Sequence, residues 1–340
     1  MSTGSDVAGA LGRAIDYLVR VQLDSGEMPV YATTDPTMQE RCVLDPSVFP
    51  TALVAHCLSF TPQAAPIRAR AAEFLAGQMD RDGLWKHWTH AHPQYAQLPP
   101  DLDDSACASA ALPEAAQPAN QHLFLANRNA RGLFLTWVIP RCRWTPPQHL
   151  RATWRQLRHA PTLLLFFRHT SAAADDVDAV VNANTLFYLR SFVGRERVIE
   201  YLVNVLRHGR ELACDKWYEN PFAVWYFIAR AVADVPEVQQ LIAQRLTRAR
   251  PGNALEAALA LCAQLSCGRV PADAAVDALL QQQLSDGAWA RAALYHGGRR
   301  RRGDGSFDAP HPDTPRWGSE ALTTAFCVEA VSRWQQVRRS

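Results

Sequence analysis

Three aspartates, Asp101, Asp103 and Asp104, stand close together in the run Pro99-Pro100-Asp101-Leu102-Asp103-Asp104-Ser105-Ala106. Carboxyl groups crowded this tightly cannot all ionise, so one proton is retained. A surrounding apolar pocket would strengthen the effect by penalising charge, leaving an acid that is still protonated at neutral pH. Such an acid can protonate an unactivated alkene, and the three carboxyls would titrate as a unit. The same residues also suit a plainer role. Asp and Ser are favoured helix N-caps, and a helix reads from Ser105 to Leu112. A helix N-terminus stabilises carboxylates and opposes acid strength. The acid role therefore requires Asp104 to cap the helix while Asp103 points into a cavity.

A second acidic stretch, Asp175-Asp176-Val177-Asp178, is a further candidate for the acid. Asp178, Asn182 and Thr185 fall on one helical face. Their oxygens suit Mg2+ if the substrate carries a diphosphate; otherwise the acids start a helix and the Asn side chains bond to neighbouring helices. Aromatic residues form a third element. Trp217, Tyr218, Trp225, Tyr226 and Phe227 crowd Asn220-Pro221, and Trp317 closes a long loop that begins at Tyr295. Trp217, Tyr218, Trp225, Trp317, Asp178 and Asn182 are the candidate substrate-binding residues. Ring faces stabilise cations without acting as bases, although aromatic stripes at helical spacing also simply fill cores. The run Arg299 to Arg302 suits a diphosphate or an anionic lipid surface, or a solvated turn. His87, His90 and His92 have no metal-site spacing, but one of them could hydrogen-bond the acid.

Composition narrows the function classes. The 340 residues are 48% hydrophobic and 20% charged, with a net charge of +2, which fits a globular protein with a large core and excludes a nucleic-acid binder. The eight cysteines are scattered through apolar stretches with no CxxC pair, as expected of reduced thiols in a cytoplasmic protein. No signal peptide and no spanning segment is evident. Phosphate-binding loops, the dinucleotide fingerprint and the nucleophile elbow are missing, so no redox cofactor is implied and no metal site is expected beyond the conditional Mg2+.

The elements that must position these residues are helical. Apolar residues recur at helical spacing in roughly twelve segments, for example Leu11, Ile15, Leu18 and Val19, or Leu255, Ala258, Leu259 and Cys262. Strand signals are few and short. A weak repeat links several helix ends: Gln22-Leu-Asp-Ser-Gly26, Gln78-Met-Asp-Arg-Asp-Gly83-Leu-Trp85 and Gln283-Leu-Ser-Asp-Gly287-Ala-Trp289. Units of this kind must stack to bury their apolar faces. The Gly supplies a left-handed C-terminal position, the Trp packs over the turn and the Gln bonds to exposed helix ends. The expected architecture is all-α, an α/α barrel formed as one domain over residues 1–340.

These turns resemble the QW repeats of squalene and oxidosqualene cyclases. The stretch Asp101-Leu102-Asp103-Asp104-Ser105-Ala106 resembles the Asp-x-Asp-Asp-Thr/Ser-Ala motif of class II terpene cyclases, and Gly318 to Ala325 looks like a last barrel helix of that group. The resemblance implies an α/α barrel whose middle aspartate protonates an alkene of a polyprenyl chain, after which a carbocation cascade builds rings. Asp103 would be the acid, supported by Asp101 and Asp104, and the partner would be an isoprenoid-like small molecule. Members of the group usually have two helical barrels, whereas this chain has room for one. A second copy, a partner protein or a peripheral membrane contact would then help to cover the substrate. Two rival readings remain: a barrel lyase, isomerase or transferase acting on a non-terpenoid substrate, marked by polar cavity walls, and a non-enzymatic scaffold, marked by a filled barrel.

Overall fold

The structure is a computed structural model that describes residues 4–141, 147–156, 160–303, 307–309 and 311–339. Six helices form a closed inner ring: α2 (Val48–Cys57), α4 (Leu102–Ala111), α8 (Ala179–Leu189), α10 (Pro221–Val232), α12 (Ala254–Ser266) and α14 (Glu320–Arg339). Each packs on the next, and α14 returns to α2. These segments are buried almost all round: in α10 every residue from Phe222 to Ala229 is buried. A helix apolar on all faces belongs inside a core. The outer layer comprises α1 (Gly4–Val21), α3 (Ala65–Gln78), α5 (Gln121–Ala126), α9 (Arg195–Arg207), α11 (Pro236–Arg248) and α13 (Asp273–Leu280). These are one-sided: α9 buries Val198, Leu202, Val203, Val205 and Leu206 and turns its charged residues outward. The expected α/α barrel is therefore the observed one. Two further helices, α6 (Pro147–Gln156) and α7 (Ala160–His169), lie in the connection between α5 and α8.

The repeated turns join the outer helices to one another. In the first and last, the Gln22 amide donates to Gly26 O and Ile67 O, and the Gln283 amide donates to Gly287 O and Ala10 O. Each thus binds its own turn and the first part of a neighbouring outer helix. Gly26 and Gly287 have φ of +88° and +95°, and a Cβ there would lie 2.2 Å from Arg70 O or 2.3 Å from Arg13 O. Only Gly permits both that backbone and that approach. Trp85 and Trp289 each donate their indole N–H to a carbonyl of the preceding helix, Leu75 O and Leu279 O, both at 2.8 Å. The backbone N–H groups of Met28, Trp85 and Trp289 then bond to hydroxyls of Thr51, Ser105 and Thr324 on inner helices, tying the layers together. Gln78 departs from the expectation: its amide oxygen accepts from His90 N instead of bonding to a helix end. A fourth turn, Asn129 to Phe134, has the same backbone pattern around Gly132, with Asn182 taking the place of the hydroxyl. It lacks both Gln and Trp, so the repeat did not reveal it.

Four short strands were not expected: β1 (Tyr31–Thr33), β2 (Val43–Leu44), β3 (Ala293–His296) and β4 (Arg316–Gly318) form an antiparallel sheet in the order β2-β1-β4-β3. At two to four residues each they are too short to display a two-residue alternation. The sheet joins the segments after α1 and α13 beside the seam where α14 meets α2. Among the described residues no helix is long and apolar enough to cross a membrane.

Candidate active site

The inner helices run parallel, and their N-terminal ends share one rim. Phe49 of α2, Asp103 of α4, Val181 of α8 and the residues just before α10 and α14 all face one cavity of about 1070 Å3. The acidic run forms part of its floor. The first helix turn begins three residues earlier than the sequence indicated, at Leu102, because Asp101 is the N-cap and accepts from Asp104 N at 2.8 Å. Asp101 thus does the capping expected of Asp104. Burial pushes the Asp104 carboxyl well above the ordinary carboxylate range, and it hydrogen-bonds to Asp101. Burial raises the pKa of the neighbouring Asp101 carboxyl as well.

All three aspartates line the cavity, and Asp103 is the least buried of them. Its Oδ1 accepts from Asn184 Nδ2 at 2.6 Å and its Oδ2 from the Tyr218 hydroxyl at 2.9 Å. Burial lifts its pKa from 3.8 to about 7, assisted by the Asp101 charge; the bonds from Asn184 and Tyr218 and the Arg230 guanidinium act the other way. The helix N-terminus would also favour the ionised form, so burial outweighs every group that favours charge. Asn184 is oriented by Arg230, whose guanidinium donates to Asn184 Oδ1. Neither residue was a sequence candidate. Asn184 was visible only as part of the Asn-rich start of α8, and Arg230 lies far along the chain.

The cavity walls are aromatic: Phe49, Trp88, Trp137, Phe166, Trp217, Tyr218, Tyr295 and Trp317 line them. Tyr295 stacks on Trp317 with centroids 5.4 Å apart, and Trp88 stacks on His92 at 4.6 Å. His87 sits between the floor and this wall. Burial pushes its pKa down to about 4. Its Nδ1 is 3.9 Å from Asp104 Oδ2, beyond hydrogen-bond reach, and 3.4 Å from Ser47 Oγ. Within the arginine run, Arg300 lines the rim, Arg299 bonds to Leu212 O and Asp215 O, and Arg302 pairs with Asp308.

The structure thus brings together Asp101, Asp103, Asp104, Trp217, Tyr218 and Trp317, and separates three other candidates from them. Trp225 lies off the cavity, packed on Phe222 with its N–H on Glu211, because it projects from a different face of α10. The Asn182 amide is fully engaged with the backbone of Phe134 and with Asp178 O. Asp178 is buried behind the wall and accepts from the Thr136 hydroxyl, Lys216 N and the Trp217 indole. The donors aimed at Asp178 and the occupied Asn182 amide do not suit the Mg2+ site considered from sequence. Asp176 is ion-paired with Lys216. Among the described residues no group of three or more His, Cys, Asp or Glu side chains is arranged to hold a metal ion.

No protein-family model matches the sequence, and no curated protein does. Solved structures do match along the whole chain. A protein from Actinoplanes aligns with a TM-score of 0.61 at 18% identity, covering 97% of this chain and 99% of its own. The type II terpene cyclase MstE from Scytonema, in a variant bound to geranylgeranyl dihydroxybenzoate as substrate, aligns with a TM-score of 0.65 at 16% identity over 98% of both chains. Another MstE variant, bound to merosterolic acid A as product, aligns at 0.64 and 16% over 97% of both. The chain therefore has the fold of type II terpene cyclases. Its match to MstE is nearly end to end, so the single barrel expected from the sequence is an arrangement that MstE shares.

Proposed function

We propose that the protein is a class II terpene cyclase that protonates an isoprenoid alkene and guides ring closure within the aromatic cavity. The observation that carries this reading is the position of Asp103: a carboxyl with pKa about 7, on the floor of a large cavity walled by aromatic rings. The alkene π electrons take the Asp103 proton, leaving a tertiary carbocation and an Asp103 carboxylate. The hydrogen bonds from Asn184 and Tyr218 stabilise that carboxylate as it forms. Asp101 and Asp104 support the acid, Asp101 by capping α4 and by the charge that helps keep Asp103 protonated. Ring faces shield the moving cation without trapping it, and loss of a proton ends the cascade.

The aromatic walls favour this reading over a non-terpenoid barrel enzyme, and the open cavity favours it over a scaffold. The fold likeness to a cyclase that binds geranylgeranyl dihydroxybenzoate points to a C20 prenyl chain on a polar head group, with Trp217, Tyr218 and Trp317 against the chain and residues 1–340 acting as one catalytic unit. The test is incubation with geranylgeranyl diphosphate and geranylgeranyl dihydroxybenzoate, comparing wild type with Asp103→Asn by product mass spectrometry. Cyclised product is expected from the wild type and at least about 10³-fold less from the variant, with an unchanged circular dichroism spectrum. Turnover that persists in Asp103→Asn would remove Asp103 from the chemistry.

A further inference from the structure

The cavity tryptophans share an arrangement that the acid chemistry does not use. Trp88 and Trp317 donate their indole N–H groups to the same oxygen, Asp45 Oδ2, at 3.2 and 2.6 Å. Trp137 donates to Asp176 and Trp217 to Asp178, at 3.2 and 3.3 Å. The core tryptophans Trp85 and Trp289 instead donate to neutral backbone carbonyls. Trp225, off the cavity, does meet a carboxylate, Glu211, but one neutralised by Arg245 at 2.7 Å. Asp176 is neutralised in the same way by Lys216. Asp45 differs. Among the described residues neither it nor Asp178 has a Lys or Arg side chain within ion-pair distance, but Asp178 lies behind the wall whereas Asp45 lines the cavity, with His92 Nε2 at 3.1 Å.

We propose that Asp45 is a positioning residue whose negative charge, acting through Trp88 and Trp317, makes that wall the cavity's preferred resting place for a tertiary cation. A carboxylate that accepts an indole N–H holds the ring in one orientation. It also pushes electron density towards the ring, making its face more negative and more attractive to a cation. Its own field adds to the effect inside a site with little water. Because Asp103 starts the charge at the floor and Asp45 favours it at this wall, the pair sets how far the cascade runs before a proton is lost. The inference rests on the cyclase reading above, but its ligand class is broader: a compact, poorly hydrated cation on an alkyl chain.

Two probes of equal shape separate charge from fit: dodecyltrimethylammonium, below its micellar concentration, and its uncharged carbon counterpart 2,2-dimethyltetradecane, both titrated against intrinsic tryptophan fluorescence. Wild type is expected to bind the ammonium about tenfold more tightly than the hydrocarbon. Asp45→Asn keeps an oxygen for both indoles and an amide for His92, so a purely structural role would leave that preference intact. The expected result is a preference within about twofold of unity, with hydrocarbon affinity unchanged. Trp317→Phe keeps a ring but cuts its bond to Asp45, and is expected to lower the preference independently should Asp45→Asn fold poorly. A folded Asp45→Asn protein that retains the full ammonium preference overturns the proposal. Ammonium preference without cyclised product from any polyprenoid would instead sink the cyclase reading and leave the cation site standing.

Discussion

Asp103 sits where opposing influences meet: the end of a helix, two hydrogen-bond donors and a guanidinium favour its charge, while burial opposes it and prevails. If protonated Asp103 is the acid, as proposed, cyclisation should fall about tenfold per pH unit above pH 7, measured as initial rate against pH. The same group costs stability. Its folded pKa of about 7 exceeds the ordinary 3.8, so the unfolded chain ionises first as pH rises, and stability is lost across that window. Asp103→Asn, which has no charge to bury, should therefore be more stable than wild type at pH 8, by on the order of 1–4 kcal/mol, and nearly equal to it at pH 4. Thermal melts at both values check the sign. The acidic run was legible because like charges in close sequence are inherently informative. Its division of labour was not: Asp101 rather than Asp104 became the cap because the helix starts at Leu102, a shift smaller than periodicity can resolve. The tuning groups Asn184, Tyr218 and Arg230 come from α8, α10 and the segment before it, and only the closed ring brings them to Asp103.

At the scale of elements, the turn glycines bear more of the architecture than the aromatic residues that mark them. Gly287→Ala places a methyl group against Arg13 O in a left-handed backbone, and should cost more than about 2 kcal/mol. Gly77→Ala, on the outer helix α3 with open space around it, should be neutral or slightly stabilising. Urea midpoints for the two variants provide the comparison. Sequence pattern found three of these turns through Gln and Gly, but missed the Asn129–Phe134 turn, where Phe134 replaces Trp and Asn182 replaces an inner-helix hydroxyl. It also overstated Asn182 and Trp225 as cavity residues. Both lie on helices that are apolar all round, where a buried residue can face the cavity or a neighbouring helix and composition does not say which.

At the scale of the whole molecule, every inner helix enters from the same rim, and most cavity-lining residues lie in the segments that lead into these helices or in their first turns. The far rim holds the returns from inner to outer helices, such as Gly268 after α12, where an added Cβ would meet nothing within 4 Å. Binding and folding are therefore divided between the two ends, much as they are in other closed barrels. Attaching a small soluble domain at Gly268 should leave both cyclisation rate and product ratio within about twofold of the parent, whereas the same fusion between Thr314 and Arg316 should abolish them, as a product assay would reveal. On the proposed reading the protein has a working face and a mounting face: tethered from behind, it keeps its mouth open toward whatever supplies the next chain.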